Sequence, residues 1–197
     1  CHTHGVLTIA DEVFTGFGRT GKLFACNYLT NKPDIMCLSK GITGGFLPLG
    51  ITSVSDEIYQ AFYSDEKSHT FLHGHSYTGN PIACAAANAS LDLFETESTM
   101  DRVNHIAQKL ASFVQKVRSA YNVKDARSLG AIAAIEWQTE NESNYFNDAG
   151  KEVYQQLLEK GIILRPLGNV VVIVPPYCIG DDQLEYMFEQ IMILLEN

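Results

Sequence analysis

The chain lacks most of what would direct it to a membrane or a nucleic acid. No apolar run approaches the roughly 20 residues of a membrane-spanning helix. Basic residues are few: 14 Lys and Arg against 23 Asp and Glu leave a formal net charge of −9, and the pI near 5.0 argues against nucleic acid as a partner. The five cysteines (Cys1, Cys26, Cys37, Cys84, Cys178) are odd in number, scattered, and contain no Cys-x-x-Cys. They predict buried thiols in a reducing, cytoplasmic setting rather than a disulfide framework. An initiator methionine and a signal peptide are also missing, and Cys1 leads almost at once into a strand, so the sequence reads as a piece of a longer protein. Internal repeats and low-complexity linkers are absent. What remains is a globular composition, 46% hydrophobic and 19% charged over 197 residues, enough for one large domain or two small ones.

Periodicity divides the chain near residue 95. Before it, Val6–Asp11, Ile35–Ser39 and Leu49–Val54 read as strands, with Val6–Asp11 buried. Asp56 reads as the cap of a helix over Glu57–Tyr63, and Ser64–His69 as a loop. Asn80-Pro81 opens the clearest helix, Pro81–Phe94, rich in small residues. After it come a helix from Ser98 to Ala120, a strand over Ala131–Trp137 and a helix over Asp148–Lys160 stopped by Gly161. Strands at Ile162–Arg165 and Val170–Val174 flank a turn over Pro166–Asn169, and an amphipathic helix over Asp181–Leu195 closes the chain.

Two polar residues stand where apolar runs end. Asp11 closes Val6-Leu7-Thr8-Ile9-Ala10, and Lys40 closes Ile35-Met36-Cys37-Leu38-Ser39 before the glycine-rich Gly41–Gly45. A lysine at the end of a buried strand is desolvated, which lowers its pKa and frees its amine to condense with an aldehyde. In an α/β sheet, ligands sit beyond the carboxyl ends of strands, so both residues are expected at one sheet edge. A lysine for an aldehyde and an aspartate for a ring nitrogen are what pyridoxal phosphate requires. The polar loop His73-Gly74-His75-Ser76-Tyr77-Thr78-Gly79 opens onto the helix at Asn80-Pro81, a setting that favours an anion such as phosphate. His73 and His75 could also bind metal, but no third ligand has a sensible spacing. Arg165, ending an apolar strand, needs an anion: either a neighbouring carboxylate in a salt bridge or a substrate carboxylate. Glu12, Arg19 and Thr20 are expected to fix the loop beside Asp11 rather than to act on substrate. Tyr77 stands out among aromatic residues that are otherwise core by default.

Asp11-Glu12-Val13 with Gly16-Phe17-Gly18-Arg19-Thr20-Gly21, then Ser39-Lys40-Gly41 with Gly44-Gly45, then Gly79-Asn80-Pro81, resemble the class III pyridoxal-phosphate-dependent aminotransferases of fold type I. The resemblance spans nearly the whole chain. It implies an α/β fold in which 1–95 is the C-terminal part of the large, mainly parallel-sheet cofactor domain and 96–197 an α+β small domain. Within the class, Gly21–Cys26, Pro33–Leu38, Ala83–Leu91 and Arg165–Gly168 followed by Pro175-Pro176-Tyr177 look most like the branch that serves biotin synthesis. That branch transfers an amino group onto 7-keto-8-aminopelargonate to give 7,8-diaminopelargonate.

The resemblance implies roles for single residues. Lys40 would link covalently to pyridoxal phosphate and shuttle the proton. Asp11 would pair with its ring nitrogen and Val13 pack on its ring. Ser76 with His75 would reach the phosphate held by the partner subunit of a homodimer. Gly74 would line the substrate site, and Arg165 would bind the keto substrate's carboxylate. Two departures stand out: His75-Ser76 replaces a Pro-Thr pair found in some members, and Val172 replaces a tyrosine near the amino donor. The usual donor is S-adenosylmethionine, but lysine serves in some relatives, so both stay open. Family members are about twice as long, and the missing N-terminal portion would supply a phosphate-binding Gly-Ser turn and a cofactor-stacking aromatic. This chain alone is therefore expected not to catalyse. Rival readings are a class III enzyme acting on ornithine, 4-aminobutyrate or an ω-amino acid, and a non-catalytic dimerising fragment.

Overall fold

A computed structural model describes residues 1–120, 122–140 and 142–196. The chain divides into two compact units, Cys1–Met100 and Asp101–Asn197.

In the first unit β1 (Ile9–Asp11) runs parallel to β2 (Ile35–Leu38), and β2 runs antiparallel to β3 (Ile51–Val54). Thr8 fixes the start of this sheet: its N–H and hydroxyl both donate to the Asp34 carboxylate, at 2.7 and 2.8 Å. β1 is shorter than its apolar run and is not buried; Ile9 is 65% exposed, and Val6 and Leu7 are also exposed. A continuous apolar run signals a strand covered on both faces, but β1 is an edge strand of three and only Ala10 in it is half-buried. The core lies instead beside the end of β2, where Phe17, Ile42 and Ala87 are buried and Phe24, Leu38, Leu49 and Phe94 pack around them. Ala87 belongs to α2 (Pro81–Thr96), capped by Asn80, whose Oδ1 accepts the Ile82 N–H at 2.9 Å. The shorter α1 spans Asp56–Phe62 and is capped by Ser55 rather than Asp56; the Ser55 hydroxyl accepts the Ile58 N–H.

The second unit is an antiparallel sheet with helices. Its strands are β4 (Val123–Leu129), β5 (Ile132–Trp137), β6 (Arg165–Leu167) and β7 (Val170–Ile173), in the order β4-β5-β7-β6. Ala133 stands opposite Ile173 and Ile135 opposite Val171, and all four are fully buried, so one face of β5 and β7 enters the core. The helices are α3 (Thr99–Val117), α4 (Ala149–Glu159) and α5 (Asp181–Glu196). Every third or fourth residue of α3 is buried, from Val103 through Ile106 and Leu110 to Val117, and its Phe113 stacks on Phe188 of α5 at 4.1 Å between ring centres. Arg102 ties α3 to the start of α5 and the loop before it: it pairs with Asp181 at 2.7 Å and bonds the carbonyls of Tyr177 and Ile179. His105 meets the other Asp181 oxygen at 2.9 Å. Hydrogen bonds from Arg102 and then His105 hold the Asp181 carboxyl below its ordinary value.

Three features depart from the sequence pattern. β4 has only Ala126 buried and carries no apolar alternation to announce it. Pro166 lies within β6 rather than in a turn, which an edge strand tolerates because a missing N–H there costs no ladder bond. Nor are the five cysteines buried: all are free, Cys1, Cys84 and Cys178 are exposed, and Cys26 and Cys37 are half-buried. Among the described residues no helix is long and apolar enough to cross a membrane.

Candidate active site

The β1–β2 pairing sets the geometry of the first unit. Asp11 is level with Cys37, so the carboxyl ends of two adjacent parallel strands lie side by side, with Asp11 on one and Lys40 three residues beyond Cys37 on the other. Asp11 Oδ1 accepts the Val13 N–H at 3.1 Å; among the described residues no donor meets Oδ2. Asp11 is exposed and Val13 half-buried.

Lys40 begins a tight turn, Lys40–Thr43, closed by Gly44 in the left-handed conformation. The turn is anchored from below: Ile42 and Thr43 are buried, the Thr43 hydroxyl donates to the Leu47 carbonyl at 2.6 Å, and the Ser39 hydroxyl to the Leu49 carbonyl at 2.6 Å. α2 packs against it, the Ser90 hydroxyl reaching the Gly41 carbonyl. Lys40 itself has φ +42, which is left-handed for a residue with a side chain. Its side chain is exposed, contrary to the expectation of a desolvated amine. The apolar run ends at Leu38, and the turn lifts the lysine out of the strand. Its amine stands 5.2 Å from the centre of the Phe14 ring, and among the described residues it makes no hydrogen bond or ion pair. Sequence reasoning missed Phe14; its only signal was an aromatic three positions after Asp11.

The loop 73–79 is exposed throughout. The His75 Nδ1 accepts the Tyr77 N–H at 3.1 Å, and the Thr78 hydroxyl accepts the His75 N–H at 3.0 Å. Ser76 makes no hydrogen bond among the described residues. Gly74 is not forced by packing, since a Cβ there would meet only the Thr78 hydroxyl at 3.4 Å. Ten residues of helix separate Asn80 from Ser90, an axial distance of about 15 Å. Among the described residues no hydrogen bond joins His75 or Ser76 to the Gly41 turn of the same unit. Among the described residues no group of three His, Cys, Asp or Glu could hold a metal.

In the second unit Arg165 starts β6 directly opposite Val172 of β7, so the two side chains share a face. Arg165 is exposed and makes no salt bridge or hydrogen bond among the described residues. It borders a cavity of about 640 Å³ whose walls include Tyr145, Phe146, Tyr154, Ile163 and Pro166.

The aminotransferase class-III family pattern matches residues 1–195. The chain belongs to the class III aminotransferases. It is 43% identical over 193 residues to the adenosylmethionine-8-amino-7-oxononanoate aminotransferase of Synechococcus elongatus, covering 98% of this chain and 45% of that protein. To the enzyme of that name from Methanocaldococcus jannaschii it is 41% identical over 196 residues, 95% of this chain and 42% of that one. The crystal structure of the Methanocaldococcus jannaschii enzyme superposes with a TM-score of 0.88 at 39% identity, covering 98% of this chain and 47% of that one. A Bacillus anthracis aminotransferase superposes with a TM-score of 0.90 at 32% identity, over 100% and 46%. The fold is thus that of fold type I aminotransferases, and the chain spans about half the length of the curated relatives it matches.

Proposed function

We propose that the whole protein is a pyridoxal-phosphate-dependent aminotransferase that converts 7-keto-8-aminopelargonate to 7,8-diaminopelargonate in biotin synthesis. The observation that carries the reading is the register of β1 on β2, with Asp11 and Lys40 at the carboxyl ends of adjacent parallel strands. The donor set suits the cofactor: a carboxylate with a free oxygen for a protonated ring nitrogen, and an amine without a hydrogen-bond or ion-pair partner for an aldehyde. Pyridoxal phosphate, when bound, supplies an electron sink for charge developing on the substrate carbon.

The chain's own residues would do the rest. Lys40 Nζ takes the proton from the donor carbon and returns it, acting as general base and then acid. The Asp11 carboxylate would hold a proton on the ring nitrogen, and Val13 would pack on the ring. The Arg165 guanidinium fixes the keto substrate's carboxylate with a planar fork of donors. In a homodimer, which membership of the class III family suggests, the loop at Gly74, His75 and Ser76 would make its phosphate and substrate contacts across the subunit interface. Five free cysteines fit a reducing cytoplasm. The reading assigns S-adenosylmethionine as donor, the molecule in the names of the relatives; Val172 beside Arg165 makes lysine the donor to compare it with. Since the chain covers less than half of those relatives, it would not turn over substrate alone.

The test is Lys40→Ala in the whole protein, assayed with the keto acid and each donor. Loss of turnover with the cofactor still bound is expected, and near-normal transamination would refute the assignment. Acceptance of ornithine, 4-aminobutyrate or an ω-amino acid in place of these substrates would move the protein to another branch of the family.

A further inference from the structure

Glu12 is the only buried carboxylate among the described residues, 2% exposed, and the chemistry above does not use it. Its side chain is fully engaged. Oε1 accepts the Cys26 N–H at 2.6 Å, and Oε2 accepts the Ala25 N–H at 3.0 Å and the Thr15 hydroxyl at 2.5 Å. Its main chain is engaged as well: the N–H donates to the Cys37 carbonyl at 2.9 Å, and its carbonyl accepts the Gly16 N–H at 3.0 Å. One residue therefore ties the end of β1 to the end of β2 and to both ends of the loop 13–26. That loop leads to Lys40. Phe24, beside Ala25, packs edge-on against Phe17 at 5.6 Å between ring centres. Phe17 presses on Gly41 so closely that a Cβ there would stand 2.9 Å from its own Cβ. Gly41 follows Lys40, whose left-handed backbone persists only where its surroundings impose it.

We propose that Glu12 is a positioning residue for Lys40. Its carboxylate clamps the loop 13–26, the loop seats Phe17 on Gly41, and that contact holds the Lys40 turn in the conformation that sets its amine 5.2 Å from the Phe14 ring. The inference rests on the reading of Lys40 as the reacting amine, but its conformational half can be measured without cofactor. A carboxylate suits this place because three donors converge on two acceptor oxygens; an amide of the same shape turns its NH₂ onto at least one of them.

The experiment is amide hydrogen exchange of the whole protein without cofactor, wild type against Glu12→Gln, resolved to segments 13–26 and 39–45. It is followed by incubation with pyridoxal phosphate, borohydride reduction and quantitation of the Lys40 peptide. Exchange is expected to speed up by about tenfold or more in both segments, with less Lys40 trapped at equal cofactor. Faster exchange in 13–26 with 39–45 at the wild-type rate would overturn the proposal, because a merely structural clamp moves only the first segment. If Glu12→Gln does not fold, Thr15→Val removes one donor to the same carboxylate and carries the same test at smaller amplitude. No trapped Lys40 in the wild type overturns the functional reading of Lys40; unchanged exchange at 39–45 overturns the role of Glu12.

Discussion

Gly168 turns the chain from β6 into β7, and replacing it with alanine should disrupt the strand pair that carries Arg165. The cost has two separable parts. Gly168 has φ +62, left-handed, which costs an alanine about 1–2 kcal/mol. An alanine Cβ would also stand 1.8 Å from the Asn144 carbonyl oxygen and 2.9 Å from its carbonyl carbon. That contact is backbone, so the 144–145 segment would have to move off the turn, at a cost of about 1–3 kcal/mol as for other overpacked sites. Gly161 is the control: its φ is +75, but a Cβ there meets nothing within 4 Å, so Gly161→Ala costs only the first part, about 1–2 kcal/mol. The chain carries its own reporter. Its single tryptophan, Trp137, is 8% exposed and bonds to the turn, its N–H donating to the Asn169 carbonyl at 2.9 Å and its carbonyl accepting the Asn169 amide at 2.8 Å. Urea unfolding followed by tryptophan fluorescence should show Gly168→Ala losing about 2–5 kcal/mol in total. At a slope of about 1–2 kcal/mol per molar urea that is a midpoint lower by roughly 1–5 M. Equal midpoints for Gly168→Ala and Gly161→Ala would refute the steric argument.

Arg165→Ala in the whole protein should raise KM for the keto acid by about tenfold or more, the loss of a charged hydrogen-bond pair, with little change in kcat; an unchanged KM would remove Arg165 from the substrate site. Acid should loosen the first unit through Glu12. Burial pushes that carboxyl up, but hydrogen bonds from Thr15, Cys26 and Ala25 outweigh it and hold it below the ordinary glutamate value of 4.5. With the folded value depressed, its stabilisation is present above pH 4.5 and is lost as pH falls through the folded value. Hydrogen exchange of 13–26 should therefore accelerate below that pH in the wild type and lose this pH dependence in Glu12→Gln; an identical pH profile in both would contradict it.

Asp11 and Lys40 were legible because each interrupts the end of an apolar run, and that placement needs only strand periodicity and the rule that α/β ligands lie beyond strand carboxyl ends. Their solvent exposure was not legible. Burial of β1 depends on what covers its faces, which the apolar run Val6–Ala10 does not encode; Val6, Leu7 and Ile9 are exposed and Ala10 is half-buried. Burial of Lys40 depends on whether the strand continues past Leu38, and the turn at Lys40 stops it. β4 escaped because an edge strand needs only one inward residue, Ala126. Pro166 misled in the opposite direction, since proline suggests a turn until the strand is known to be an edge. Glu12 was legible as a loop-fixing residue; its convergence on Ala25 and Cys26 required the folded chain, because thirteen residues separate the carboxylate from the nearer of these N–H groups.

Lys40 is proposed as the residue that bonds the cofactor. The most direct measurement is borohydride reduction of the whole protein with pyridoxal phosphate, followed by peptide mass mapping. A single pyridoxyl adduct on the peptide containing Ser39-Lys40-Gly41 is the predicted result. An adduct on Lys22, Lys32 or any other lysine, with Lys40 unmodified, would contradict the account.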